Sequence, residues 1–110
     1  MIGSKPAGPG AGTEPAPGTQ PALVRDFHIT NKRGLHARAA ARFVQCVERF
    51  DATVTVARDQ TSVDGVSIMG LMMLAAGPGS TVRVTATGGE AEAALAAIAE
   101  LIATKFGEEE

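Results

Sequence analysis

From Leu23 onward, apolar and polar residues alternate in short runs and recur at three- and four-residue spacing in longer ones. Arg25-Asp26-Phe27-His28-Ile29-Thr30 alternates around Phe27 and Ile29, which predicts a half-buried strand. Asn31-Lys32-Arg33-Gly34 follows as a turn, with Gly34 able to take a backbone conformation that other residues resist. Ala37 to Arg49 then reads as a helix. Ala40, Phe43, Val44, Val47 and Phe50 fall on one face, while Arg38, Arg42, Gln45 and Arg49 lie off it. Thr53-Val54-Thr55-Val56 alternates again, and a polar Arg58-Asp59-Gln60 turn leads to a short strand around Val63, which predicts a hairpin. Ser67 to Leu74 is a short apolar helix with Ser67 placed to cap it. Past the Ala75–Ser80 loop, Thr81 to Ala86 alternates through Val82, Val84 and Ala86. After Gly88-Gly89 a last helix is expected from Glu90 to about Phe106. Its apolar stripe is Ala91, Ala94, Leu95, Ile98, Leu101 and Ile102, and Glu90 and Glu92 suit its positive end.

Strand, helix, strand, strand, helix, strand, helix is therefore the expected order (βαββαβα). Strands with one wet face imply an antiparallel sheet whose other face is covered by helices. The expected fold class is α+β: a two-layer open-faced sandwich of a four-stranded antiparallel sheet under three helices. The folded domain is expected over residues 22–107. Met1 to Pro21, rich in Pro and Gly and almost free of large apolar side chains, cannot bury enough surface to offset its ordering entropy and is expected to be a flexible tail. Glu108-Glu109-Glu110 is expected to be a frayed acidic terminus.

Composition narrows the picture further. The 110 residues are 45% hydrophobic but only 4% aromatic, so the core must rest on aliphatic residues and on Phe27, Phe43, Phe50 and Phe106. A net charge of -2 argues against nucleic acid as the main partner. The single cysteine, Cys46, cannot form an internal disulfide; it lies beside the apolar face of the first helix and reads as a packing residue. No apolar run of about 18 residues is present to insert in a membrane, and no secretory signal is evident. A cytoplasmic location is the natural expectation. Two histidines and one cysteine at these spacings make no zinc site, and His28, alternating with Phe27 and Ile29, is expected to face solvent.

The stretch with chemical content is Gly34-Leu35-His36-Ala37-Arg38-Ala39-Ala40. A histidine just before an amphipathic helix meets unpaired backbone N–H groups and the positive end of the helix dipole. Both favour an anion such as a phosphoryl group on a ring nitrogen. The same field favours a neutral ring with one nitrogen free to act as nucleophile. Arg38 can bring a planar guanidinium to phosphoryl oxygens, and the small residues Ala37, Ala39, Ala40 and Ala41 leave the place open to a partner. Taken alone, the spacing is a weak signal and better fits a histidine that merely ends a loop beside a solvated arginine.

Gly34-Leu35-His36-Ala37-Arg38, followed by Ser67-Ile68-Met69-Gly70-Leu71-Met72, resembles the histidine-containing phosphocarrier (HPr) family of the bacterial phosphotransferase system. The resemblance runs from about Leu23 to Phe106. It implies a four-stranded antiparallel sheet under three helices, with no cofactor and no metal. It also implies a carrier that takes a phosphoryl group from an enzyme I-type donor, itself charged by phosphoenolpyruvate, and hands it to enzyme II A-type domains. His36 matches the phosphorylated histidine, through Nδ1, and Arg38 the arginine that helps it. Most members carry proline where this chain has Ala39. Alanine keeps the helix but fixes its start less firmly, a feature shared with some members of the nitrogen-related branch. Sugar uptake and nitrogen-related regulation both stay open as the destination.

The same resemblance makes Ile68, Met69 and Met72, together with Ala37, a docking patch near the histidine, with Leu71 and Leu74 in the core. Flexible methionines suit a surface that must repack against several partners. Ser67 has two readings, an N-cap and a regulatory site for an HPr kinase/phosphorylase. Val66 stands where many members have lysine, a departure that counts against the kinase reading without excluding it. The family further implies a monomer. The alternative function is a regulatory binding module that uses the Ser67/Ile68/Met72 patch without carrying phosphate.

Overall fold

The computed structural model describes residues 22–108; the expected tail and the last two glutamates lie outside the described residues. The elements follow the expected order: β1 Leu23–His28, α1 Ala37–Val47, β2 Thr53–Arg58, β3 Thr61–Asp64, α2 Ile68–Met73, β4 Thr81–Thr87 and α3 Ala91–Ala103, closed by a 3-10 turn at Lys105–Gly107. All strand pairings are antiparallel, in the spatial order β1-β4-β2-β3. The last strand thus sits inside the sheet, with Phe27 opposite Val82 on one side and Val56 opposite Val84 on the other. This arrangement makes the chain fold as one unit, because β1 has no partner until β4 arrives.

Alternation decides which face is covered. Val54, Val56, Val82, Val84 and Ala86 point to the helices and are buried, whereas Thr53, Thr55, Thr81 and Arg83 face solvent. The helices contribute Ala39, Ala40, Phe43, Val44, Cys46 and Val47 from α1, and Ala91, Ala94, Leu95, Ile98 and Ile102 from α3. Phe43 and Phe106 are the fully buried aromatics, while Phe27 and Phe50 pack at the margin. Cys46 is buried as a packing residue. On the open face Arg83 Nε donates to Asp26 Oδ1 at 3.0 Å, and that hydrogen bond holds the Asp26 carboxyl below its usual range. His28 is exposed there, as expected, 2.9 Å from the Thr81 hydroxyl.

Two boundaries differ from the expectation. α1 stops at Val47, because Arg49 and Phe50 donate to Cys46 O (3.3 Å) and Val47 O (3.1 Å) in tighter turns that swing Phe50 back to the core edge. α3 stops at Ala103 rather than near Phe106. Lys105, Phe106 and Gly107 all take left-handed backbone angles, with φ of 56°, 56° and 77°. A bulky residue resists that region. Burial of the whole Phe106 ring offsets the strain.

Candidate functional site

The loop ahead of α1 is built to hold its shape. Asn31 is completely buried; its Nδ2 donates to Gly34 O at 2.9 Å, and Gly34 N donates back to Asn31 O at 3.2 Å. Gly34 sits at φ +65°, and a Cβ there would lie 2.3 Å from Ala76 O. Leu35 N donates to that same oxygen at 2.9 Å. The turn is therefore pinned to the segment that follows α2, and α2 itself packs against α1. The two motifs of the sequence meet in space.

His36 comes next, as the N-cap of α1, with extended backbone angles (φ -77°, ψ -179°). Its carbonyl accepts from Ala40 N at 2.8 Å, but its side chain makes no capping bond. The ring is free of the helix backbone, and 23% of the side chain is exposed. No acidic residue occupies the first turn of α1, so nothing in the helix itself neutralises the positive end. Ala37 and Arg38 are exposed, and Arg38 makes no hydrogen bond or ion pair with the described residues. Ala39 and Ala40 are buried under the helix. The helix starts cleanly with alanine at position 39.

The structure adds a residue that the sequence had placed in a frayed terminus. Glu108 is half-buried: its Oε1 accepts from Asn31 Nδ2 at 3.0 Å, and its Oε2 contacts His36 Nε2. Burial pushes the Glu108 carboxyl upward, but hydrogen bonds from Asn31 and His36, with the charges of His36 and Arg33, outweigh it and hold the group below the usual carboxylate range. Arg42 donates to Phe106 O and so clamps the left-handed turn that delivers Glu108. Local signals could not reveal this contact, because its partners are 72 residues apart.

α2 presents the second part of the site. Ser67 caps it, accepting from Gly70 N at 3.0 Å, and Arg58 Nη1 holds its far end through Leu74 O at 3.1 Å. Leu71 and Leu74 are buried, as expected. Ile68, Met69 and Met72 are exposed, and so are Val66 and Met73, which widen the patch beyond the residues expected. Met69 and Met73 are 70% and 74% accessible. Single exposed apolar residues are ordinary, but five within eight positions are a surface that excludes water only when something covers it.

Over residues 23–104 the chain matches the family described as "PTS HPr component phosphorylation site". The chain belongs to the HPr family. It is 49% identical over 88 residues to the phosphocarrier protein HPr of Cupriavidus necator, covering 80% of this chain and 99% of that one. It is 41% identical over 86 residues to the phosphocarrier protein NPr of Shewanella violacea, covering 78% and 94%. The crystal structure of HPr-C-His from Thermoanaerobacter tengcongensis superposes with a TM-score of 0.76 at 42% identity, over 80% of this chain and 99% of that one. The four-stranded antiparallel sheet with three helices is thus the HPr fold. The HPr chain is a phosphocarrier of the phosphotransferase system, a carrier and not an independent enzyme. Membership implies enzyme I and enzyme II partners in general. Among the described residues no helix is long and apolar enough to cross a membrane.

Proposed function

We propose that this HPr protein accepts its phosphoryl group on His36 Nδ1 from an enzyme I-type donor and passes it to enzyme II A-type domains in the cytoplasm. The observation that carries the reading is the placement of His36: a partly exposed ring, free of any capping bond, at the start of α1, with no acidic residue in that helix's first turn. The Nδ1 lone pair forms the new N–P bond while the donor's bond to phosphorus breaks, its electron pair staying on the donor. Nothing is oxidised and no water is consumed. Arg38, exposed and without a partner among the described residues, is the cation for the phosphoryl oxygens. First-turn amides and the dipole of α1 favour the charge that arrives.

Partners dock on Ala37 and on the Ile68, Met69 and Met72 face of α2, where thioethers adapt to more than one surface. Transient complexes of a monomer follow from that reading. Whether the phosphoryl group serves sugar uptake or nitrogen-related regulation is set by the acceptor that fits this patch. Ser67 is the regulatory position: a phosphate placed there by an HPr kinase/phosphorylase desolvates badly against an apolar partner and weakens docking.

The test is phosphoryl transfer from phosphoenolpyruvate through enzyme I to the wild type and to His36→Ala, read by intact mass. One acid-labile phosphoryl group on the wild type alone is the expected result. Equal modification of both proteins, or of neither, removes His36 as the acceptor; the second outcome favours a regulatory module working through the α2 patch alone.

A further inference from the structure

The contact between Glu108 and His36 does more than tie down the C-terminus. We propose that Glu108 is a positioning residue that selects the tautomer of His36, holding the ring proton on Nε2 so that Nδ1 keeps the lone pair. This rests on the reading of His36 as phosphoryl acceptor and adds the device that chooses between its two nitrogens.

Donor and acceptor arithmetic carries the argument. Asn31 Nδ2 faces two oxygens, Gly34 O at 2.9 Å and Glu108 Oε1 at 3.0 Å. Both are acceptors, so the amide of the fully buried side chain presents its nitrogen to them, while its Oδ1 is buried without a hydrogen-bond partner among the described residues. Asn31 therefore fixes one carboxylate oxygen, which leaves Oε2 against His36 Nε2. The Glu108 carboxyl is held below its usual range and is ionised near neutral pH, where it can only accept. Nε2 must supply the hydrogen, and in a neutral imidazole the lone pair is then on Nδ1.

A second observation points the same way. The backbone reaches Glu108 through three consecutive left-handed residues, including the bulky Phe106. Such angles persist only where their surroundings impose them. Here the buried Phe106 ring, the Arg42 bond to Phe106 O and the 2.9 Å bond from Glu108 N to Lys105 O do so. The strap ends with its carboxylate on the histidine. When Nδ1 takes the phosphoryl group, the proton stays on Nε2 and the ring becomes cationic, with Glu108 opposite the new charge.

Glu108→Gln provides an unusually sharp test. Asn31 still requires an oxygen, so the glutamine must turn its NH2 group toward His36 Nε2. An amide donor there needs a lone pair on Nε2, which moves the ring proton to Nδ1 and occupies the nucleophile. Glu108→Ala merely removes the preference. The tautomer is read by long-range 1H–15N correlation spectra of the histidine rings, above the pH at which each ring becomes neutral. The expected result is Nε2–H at His36 in the wild type, a mixture in Glu108→Ala and Nδ1–H in Glu108→Gln. Phosphoryl acceptance is expected to fall in the same order, with Glu108→Gln slower than wild type by roughly ten-fold, the population cost of about one hydrogen bond on the wrong nitrogen. Backbone amide spectra away from the site report that both variants fold. A wild-type ring that is mixed or Nδ1-protonated overturns the proposal, as does a Glu108→Gln ring unchanged from wild type. The ring spectra need no phosphorylation, so this failure is separate from a failure of His36 as acceptor.

Discussion

At position 34 a single methyl group would meet the carbonyl that organises the site. Gly34 lies at φ +65° with Ala76 O only 2.3 Å from where a Cβ would stand. Gly34→Ala combines left-handed strain with a backbone clash and is expected to cost about 3 kcal/mol or more, measured by urea unfolding. A loss under about 1 kcal/mol would mean that the loop is not held as described. Glu108 gives a pH signature at the same scale. Its folded pKa lies below its ordinary value of 4.5, so its contribution is complete above that value and is lost as pH falls through the lowered one. The wild type should therefore be more stable than Glu108→Ala at neutral pH, and the gap should close as pH drops below 4.5. A gap that stays constant into acid would rule out an ionised Glu108 as its source. The placement of His36 at the start of α1 and of Arg38, exposed, in its first turn was legible because it depends on local sequence alone. Glu108 was not, since a run of three glutamates at a chain end carries no sign of what it touches.

At the scale of elements, α2 has the least to bury and the most to present. Its cap at Ser67 and the Arg58 bond to Leu74 O hold both ends, so its outer face need not contribute to stability. Met69, 70% accessible, tests this directly. Met69→Lys should change unfolding stability by no more than about 0.5 kcal/mol, yet raise the KM for phosphoryl transfer with an enzyme I or enzyme II partner by roughly ten-fold, as expected when a charge is desolvated in an apolar contact. Unchanged transfer kinetics would move the docking surface elsewhere. The strands and helices were readable because alternation and three-to-four spacing report burial directly, as in Val54, Val56, Val82 and Val84. Element ends were less so. Phe106 continues the apolar pattern of α3, yet the helix ends at Ala103 and the ring reaches the core through a left-handed turn.

Over the whole molecule, the topology explains how residues far apart in sequence meet at the start of α1. β4 joins β1 to β2, and the chain end returns to the start of α1, so residues 31, 36, 76 and 108 are brought together by the closing of the sheet. That convergence depends on long-range packing and lies beyond what periodicity can reveal. It sets His36 at the start of α1 with its Nε2 against Glu108. The most direct measurement is the nitrogen-15 spectrum of histidine-labelled protein after phosphorylation by enzyme I, with phosphorus coupling used to locate the N–P bond. Coupling to His36 Nδ1 alone is the predicted result. Coupling to Nε2, or to His28, would contradict the account.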